Sequence, residues 1–279
     1  MPETLRSALD DGAERLSNSS QQPRRDAELL LMHVMGCDRV FLLTHPDAKL
    51  DAAQEKALDA ALRRRAAHEP LQYILGEQEF YGLRMEVTPD VLIPRPETEH
   101  LVEALLAHVA HDLPLKIADV GTGSGAIAVA LAHLLPRAEI TALDLYPQAL
   151  QIAKRNAEAH SVAGRMRFLQ SDLLAAVEGE SFDAIVSNPP YIADSEVLEA
   201  QVSEWEPHTA LFAGQTGLEI YERLIPQAAA ALKPGGWLLL EIGHGQQAAI
   251  AALLREWSEV SFVPDLQGIP RVACARRSA

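Results

Sequence analysis

The chain has 279 residues, of which 48% are apolar, and this length suits one large α/β domain with a small companion. Its net charge is −15, with −2 on residues 1–75 and −13 on the remainder. This balance argues against a stable nucleic-acid partner, because binding to a phosphate polymer usually requires a basic surface. Two distant cysteines, the lack of any apolar run near the ~18 residues of a membrane span and the lack of a signal-peptide core predict a cytoplasmic protein without a membrane contact.

Residues 1–75 are predicted to form a small helical domain. Apolar residues recur at helical spacing over residues 4–17. Pro23 is well placed as the first residue of a second helix, because proline is tolerated in a first helical turn. A third helix is expected over residues 52–67. Nothing in this part of the sequence predicts a strand.

The next segment, residues 76–95, is interpreted as a linker that contains a short β-hairpin with its turn near Gly82. Residues 96–279 then alternate between strands and helices. The expected strands are residues 116–120, 138–143, 166–170, 182–187, 236–242, 260–264 and 271–275. Alternation of this kind implies a mainly parallel sheet that is covered by helices on both faces.

A glycine-rich loop follows the first of these strands and precedes a helix. The loop reads Gly121-Thr122-Gly123-Ser124-Gly125. Glycines at such a position allow a tight turn and a close approach of a ligand to the backbone. Asp144 ends the next strand, 23 residues after Gly121, where a carboxylate accepts hydrogen bonds from both ribose hydroxyls of an adenosine cofactor. These features are compatible with either NAD or S-adenosylmethionine as the cofactor.

Asp172 ends the third strand, beside the expected position of the adenine ring. Its carboxylate is predicted to accept from the exocyclic amine of the adenine, and Leu173 is predicted to cover the ring. A helix cap is the alternative interpretation of Asp172.

The tetrapeptide Asn188-Pro189-Pro190-Tyr191 directly follows the strand expected over residues 182–187. Loops at the carboxyl ends of parallel strands face the ligand crevice. Prolines lack an N–H group, so this loop offers carbonyl acceptors in a nearly fixed geometry. We expect the Asn188 side-chain oxygen and the Pro189 carbonyl to accept the two N–H groups of a planar –NH₂ nucleophile, with Tyr191 stacked on its flat face. This arrangement predicts methyl transfer and has no use in a dehydrogenase.

Together these motifs resemble those of the seven-stranded amino-methyltransferases. Further segments resemble one branch of them, the peptide-chain release factor glutamine methyltransferases (the PrmC/HemK family). The segments that carry this closer resemblance are residues 23–28, 93–99, 241–246 and 265–271. The resemblance covers nearly the whole chain and implies a Rossmann-like seven-stranded methyltransferase domain behind a small N-terminal all-helical domain.

The resemblance also implies S-adenosylmethionine as the cofactor, contacted by residues 121–125, Asp144, Leu173 and Asn188. Class 1 peptide-chain release factors are the implied partners, methylated on the side-chain amide of the glutamine in their Gly-Gly-Gln motif. The helical domain would help to dock that protein. Some family members carry tryptophan where this chain has Leu173, so weaker stacking on the adenine is expected here.

Three alternatives remain open. A ribosomal protein glutamine methyltransferase acts on the same amide group, although residues 96–99 favour the release-factor branch. A DNA or RNA adenine methyltransferase also acts on a planar –NH₂, but it would usually add a basic recognition domain, and residues 1–75 carry a net charge of −2. A protein that only binds S-adenosylmethionine would not need an intact Asn188 and Tyr191.

Overall fold

The computed structural model describes residues 4–278, and these form two compact units. One unit comprises the chain up to Gly76 together with Leu198–Trp205. The other comprises Glu77–Val197 and the chain from Glu206 onward. The sequence placed residues 198–205 in the methyltransferase domain, whereas the structure groups them with the helical unit. No helix within residues 4–278 is both long and apolar enough to cross a membrane.

The helices and strands alternate through most of the chain. In chain order the helices are α1 (Leu5–Arg15), α2 (Pro23–Met35), α3 (Arg39–Thr44), α4 (Ala52–Ala66), α5 (Leu71–Leu75), α6 (Glu99–His108), α7 (Ala126–Leu134), α8 (Pro147–Ala159), α9 (Ala200–Ser203), α10 (Glu219–Ala231) and α11 (Gln247–Leu253). The strands are β1 (Glu77–Phe80), β2 (Leu83–Glu86), β3 (Lys116–Val120), β4 (Glu139–Asp144), β5 (Met166–Gln170), β6 (Phe182–Ser187), β7 (Ile192–Ala193), β8 (Phe212–Gly214), β9 (Leu232–Glu241), β10 (Ser258–Pro264) and β11 (Pro270–Arg276).

The helical unit contains α1 to α5 and α9. Its core is formed mainly by leucines on the inner faces of α1, α2 and α4, where Leu30 and Leu62 are almost fully buried. One buried ion pair joins two of these helices: the Arg65 Nε donates to Asp26 Oδ2 at 2.7 Å. The three helices that the sequence predicted are present, and the structure adds the short helices α3 and α5.

The second unit is built on a seven-stranded sheet in the order β10-β11-β9-β6-β3-β4-β5. The strands β9, β6, β3, β4 and β5 are parallel, and β11 pairs antiparallel to both β9 and β10. Helices α6 and α7 pack on one face of the sheet, and α10 and α11 pack on the other. The predicted Rossmann-like α/β class is therefore confirmed, and so is the β1–β2 hairpin.

The strand order reverses beside β3. From β3 the chain adds β4 and β5 on one side and then returns to place β6 on the other side. In open α/β sheets a ligand crevice lies at such a reversal, outside the carboxyl ends of the strands. The glycine-rich loop after β3 and the Asn188 loop after β6 therefore lie on either side of this crevice.

Two predicted boundaries were wrong. The strand expected to begin at residue 236 begins at Leu232, because Gly235 adopts a left-handed backbone (φ 76°) without ending the pairing with β6. The strand expected to begin at residue 260 begins at Ser258, which pairs with Arg276 of β11. Both differences arise where a local sequence signal is overruled by pairing or packing.

Replacing Gly125 with alanine is expected to lower the free energy of unfolding by about 3 kcal/mol, measured by urea denaturation. Gly125 precedes α7 with φ at 80°, and a Cβ there would lie 2.9 Å from the Ala153 Cβ. Gly179→Ala is the matched control, since Gly179 has a similar φ of 82° but open space around its Cα. The control is expected to cost about 1 kcal/mol, and equal losses in the two variants would contradict the steric argument.

Candidate active site

A cavity opens at the carboxyl ends of the central parallel strands. Ten of the residues that the sequence predicted as site residues line it. They are Gly121, Thr122, Gly123, Ser124, Asp144, Asp172, Leu173, Asn188, Pro189 and Pro190. Gly125 and Tyr191 were predicted with them but lie outside the lining. The fold thus brings two loops, 67 residues apart in sequence, to one cavity.

The glycine-rich loop is held to the end of β4 by its own backbone. The Gly121 and Thr122 N–H groups both donate to the Leu143 carbonyl, at 2.8 and 2.9 Å. Gly121 and Gly123 have φ values of 73° and 54°, and a Cβ on either would meet no atom within 4 Å. The loop therefore leaves open space next to its backbone, as a ligand that approaches the main chain requires.

Asp144 fixes the same loop from the end of the neighbouring strand. Its Oδ2 accepts from the Gly123 N–H at 2.9 Å, and its Oδ1 accepts from the Tyr146 N–H at 3.0 Å. Burial raises the pKa of this carboxyl, and the backbone donors counteract that effect. Each oxygen accepts one of these bonds and keeps capacity for another, so Asp144 is able to accept from two hydroxyls of a ligand.

Asp119 supports the glycine-rich loop through a hydrogen bond to Thr122. Its side chain is fully buried, and the Thr122 hydroxyl donates to its Oδ2 at 2.6 Å. The Oδ1 atom has no hydrogen-bond partner among residues 4–278. Burial raises the pKa of Asp119 to about 7, although the Thr122 hydroxyl favours the charged form.

Asp172 lies at the rim of the cavity and pairs with Arg223 of α10 at 2.5 Å. Both side chains are about half exposed, so this pair contributes little to stability. Leu173 lines the cavity with a left-handed backbone (φ 53°), which is uncommon for a leucine. Strain of this kind is typical of functional loops.

The Asn188 loop is fixed at the end of β6. The Ser187 hydroxyl donates to the Val120 carbonyl of β3 at 2.6 Å. The Asn188 Nδ2 donates to the hydroxyl oxygen of Thr98 at 3.1 Å. Because the amide nitrogen is held in this way, the Asn188 Oδ1 is the atom left to accept a hydrogen bond from a ligand.

The Tyr191 side chain does not line the cavity. Its Cδ2 would lie 3.0 Å from a Cβ on Gly243, so glycine is needed there to make room for the ring. Burial raises the pKa of the Tyr191 hydroxyl well above its ordinary value. The Gln246 side chain links the two segments, since its Nε2 donates to the Tyr191 carbonyl at 2.9 Å and its Oε1 accepts from the Gly243 N–H at 2.9 Å.

Comparison with known proteins gives matches along both units. The family model of the PrmC N-terminal domain matches residues 7–76, and that of the methyltransferase small domain matches residues 98–205. The release factor glutamine methyltransferase of Koribacter versatilis is 47% identical over 98% of this chain and 99% of its own length. The protein of the same name from Coxiella burnetii is 42% identical, again over 98% of this chain and 99% of its own length.

The chain belongs to the release factor glutamine methyltransferase family.

Solved structures agree with this family at the level of the fold. A methyltransferase from Pyrococcus furiosus superimposes with a TM-score of 0.52 at 18% identity, covering 71% of this chain and 91% of that one. The 16S rRNA methyltransferase RsmC of T. thermophilus, solved with AdoMet and guanosine, gives a TM-score of 0.55 at 20% identity, covering 72% of this chain and 49% of that one. The methyltransferase fold of this family member is thereby shown.

Sequence reasoning gave no role to two acidic residues that shape the site of this family member. Glu206, 3% exposed, accepts from the Ile93 N–H at 3.2 Å and pairs with Arg95. Glu241 is 2% exposed, and its carboxyl group lies beside Thr98 and Tyr191. Glu206 lies in a loop and belongs to none of the sequence motifs described above. Glu241 belongs to a segment that the family resemblance did pick out, and its position at a strand end was the available signal.

Proposed function

We propose that this protein transfers a methyl group from S-adenosylmethionine to the side-chain amide nitrogen of the glutamine in the Gly-Gly-Gln motif of class 1 release factors. The observation that carries the proposal is the fixed amide of Asn188. Its nitrogen is held by Thr98, its oxygen is left as an acceptor, and Pro189 and Pro190 beside it line the same cavity as the glycine-rich loop.

The residues present fit an adenosine cofactor. Gly121 and Gly123 leave the loop backbone open, and Asp144 has two oxygens with remaining capacity for the ribose hydroxyls. Asp172 and Leu173 line the adjoining part of the cavity, where the adenine is proposed to lie. When bound, S-adenosylmethionine would supply an electrophilic methyl group on a sulfonium, and its sulfur would keep the electron pair as the leaving group.

The role of the Asn188 loop is positioning. The Asn188 Oδ1 and the Pro189 carbonyl accept the two N–H groups of the substrate amide, which favours a tetrahedral nitrogen with its lone pair directed at the methyl carbon. As the new N–C bond forms, one of these protons is released to solvent. Tyr191 is the last residue of this loop, and its ring is proposed to move onto the flat face of the amide when the substrate binds.

The helical unit supplies the docking surface in this proposal. Its helix α3 exposes three apolar side chains: Val40, Phe41 and Leu43 are 66%, 36% and 70% exposed. Exposed apolar side chains of this kind suit contact with a protein, whereas a nucleic acid would require a basic surface. The proposed organisation is thus a docking domain over residues 1–75, a hairpin linker over 76–95 and a catalytic domain over 96–279.

The test is methyl transfer from labelled S-adenosylmethionine to three purified acceptors: a class 1 release factor, ribosomal protein and DNA. Label is expected only in the release factor. The matched control is the same release factor with alanine in place of the glutamine of its Gly-Gly-Gln motif, which should take no label. Label in ribosomal protein or in DNA alone would support one of the alternative functions and overturn this one.

A further inference from the structure

A buried carboxylate stands behind the Asn188 loop and has no role in the chemistry described above. Glu241 is the last residue of β9, is 2% exposed and does not line the cavity. Its Oε2 atom has no hydrogen-bond partner within the part of the chain that the structure describes. Burying a carboxyl group without a hydrogen-bond partner costs free energy of folding. Such a group is therefore a candidate for a specific role.

Thr98 links this carboxylate to the catalytic loop. It is 4% exposed, and its hydroxyl oxygen accepts from the Asn188 Nδ2 at 3.1 Å. A threonine hydroxyl that accepts through its oxygen still has its own hydrogen to donate. The carboxylate of Glu241 lies next to this hydroxyl, which favours the charged form of the carboxylate.

The other groups around Glu241 only partly offset its burial. The Tyr191 hydroxyl and the Arg271 guanidinium favour the ionised carboxylate, whereas Glu97 disfavours it. The Tyr221 hydroxyl donates to the backbone carbonyl of Glu241 at 2.7 Å and is therefore not a donor to the carboxylate. Burial is the largest effect and raises the pKa of Glu241 to about 7.

We propose that Glu241 and Thr98 are positioning residues, which fix the side-chain amide of Asn188 so that its oxygen faces the acceptor nitrogen. This inference rests on the function proposed above. The carboxylate accepts from the Thr98 hydroxyl, and this orients the hydroxyl oxygen towards the Asn188 Nδ2. An asparagine amide is nearly symmetrical in shape, so without such a bond both orientations have similar packing.

Protonation of Glu241 reverses this arrangement. A protonated carboxyl donates its own hydrogen to the Thr98 oxygen, so the Thr98 hydroxyl is no longer held as a donor to Glu241 and is free to donate to the Asn188 amide instead. The amide of Asn188 then loses its fixed orientation, and the acceptor nitrogen loses one of its two hydrogen-bond acceptors. Turnover is therefore expected to fall as the pH is lowered through about 7, where the ionised fraction falls about tenfold from pH 8 to pH 6.

The kinetic test uses three variants of the full chain with a release factor as acceptor. Thr98→Val keeps the shape but removes the hydroxyl, and kcat is expected to fall about tenfold with little change in KM for the cofactor. Thr98→Ser restores the hydroxyl and is expected to recover most of that loss. Glu241→Gln is expected to reduce the loss of kcat between pH 8 and pH 6, and the remainder is expected from Asp119, whose pKa is also about 7. Wild-type kcat in Thr98→Val, or an unchanged pH profile in Glu241→Gln, would overturn the inference.

A second measurement needs no substrate and thus separates this inference from the proposed function. The chain has only three asparagines, Asn18, Asn156 and Asn188, so their side-chain NH₂ signals are easily followed by NMR after ¹⁵N-asparagine labelling. The Asn188 signal is expected to shift with a midpoint near pH 7 in the wild type and to stay constant in Glu241→Gln. A signal that does not titrate in the wild type would refute the link, even in a protein that methylates release factors.

Asn156 is the internal reference for that measurement. It is 2% exposed, and its Nδ2 donates to the carbonyls of Glu86 and Ser124 at 3.0 and 2.8 Å. These acceptors are backbone atoms that do not titrate, so the Asn156 signal is expected to remain in place over the same pH range. A shift of both buried asparagines would indicate a general change of the fold and would count against the inference.

Discussion

An Asn188→Ala variant is expected to lose about 10²-fold to 10³-fold in kcat, the typical cost of removing one fixed hydrogen-bonding group that acts on the transition state. The substitution removes the amide oxygen that accepts from the substrate nitrogen, while the glycine-rich loop and Asp144 stay in place. Binding of S-adenosylmethionine, measured by calorimetry, is expected to change less than about threefold. Single-turnover methyl transfer to a release factor gives the rate.

Asp144→Ala is the control for this experiment because it should give the opposite pattern. It removes the acceptor for the Gly123 and Tyr146 N–H groups and for the ribose hydroxyls. KM for the cofactor is expected to rise about tenfold or more, with a smaller loss in kcat at saturation. Near-normal turnover in Asn188→Ala would contradict the acceptor role of the amide, whatever Asp144→Ala shows.

The elements that the sequence predicted correctly are those with strong periodic or terminal signals. The central strands are short apolar runs, and α2 begins at a proline and ends at Met35, directly before Gly36 with its left-handed backbone. The helices α3 and α5 are six and five residues long, which is too short for a helical period to be visible. The two-residue strand β7 and its partner β8 owe their pairing to tertiary structure alone.

The same distinction applies to the site. The glycine-rich loop, Asp144 and Asn188 are close to strand ends, and the carboxyl edge of a parallel sheet predicts that they meet. The partners that orient them are distant in sequence: Thr98 reaches Asn188 across 90 residues, and Glu206 reaches Ile93 across 113. No local sequence pattern predicts contacts between residues so far apart in the chain. Only the folded structure shows them.

Glu241→Gln is expected to stabilise the protein at neutral and alkaline pH, although it removes a charged group of the site. The pKa of this carboxyl is about 7 in the folded chain, whereas the unfolded chain has the ordinary glutamate pKa of 4.5. Between these values the unfolded chain ionises while the folded chain holds its proton, so wild-type stability falls as pH rises from 4.5 to 7. The glutamine variant lacks this loss, and its advantage over wild type should grow by about 3 kcal/mol between pH 4.5 and pH 8.

Urea denaturation of both proteins across this pH range measures the difference, and other titrating groups cancel because they are shared. Glu219→Gln is the control of opposite sign: backbone N–H groups of Thr216 and Leu218 donate to this carboxylate and lower its pKa, so its removal should destabilise the protein above its folded pKa. A pH-independent difference for Glu241→Gln would refute its raised pKa. A stabilised variant that also has a weaker pH response of kcat would show that the family member retains a destabilising carboxylate because Asn188 needs it.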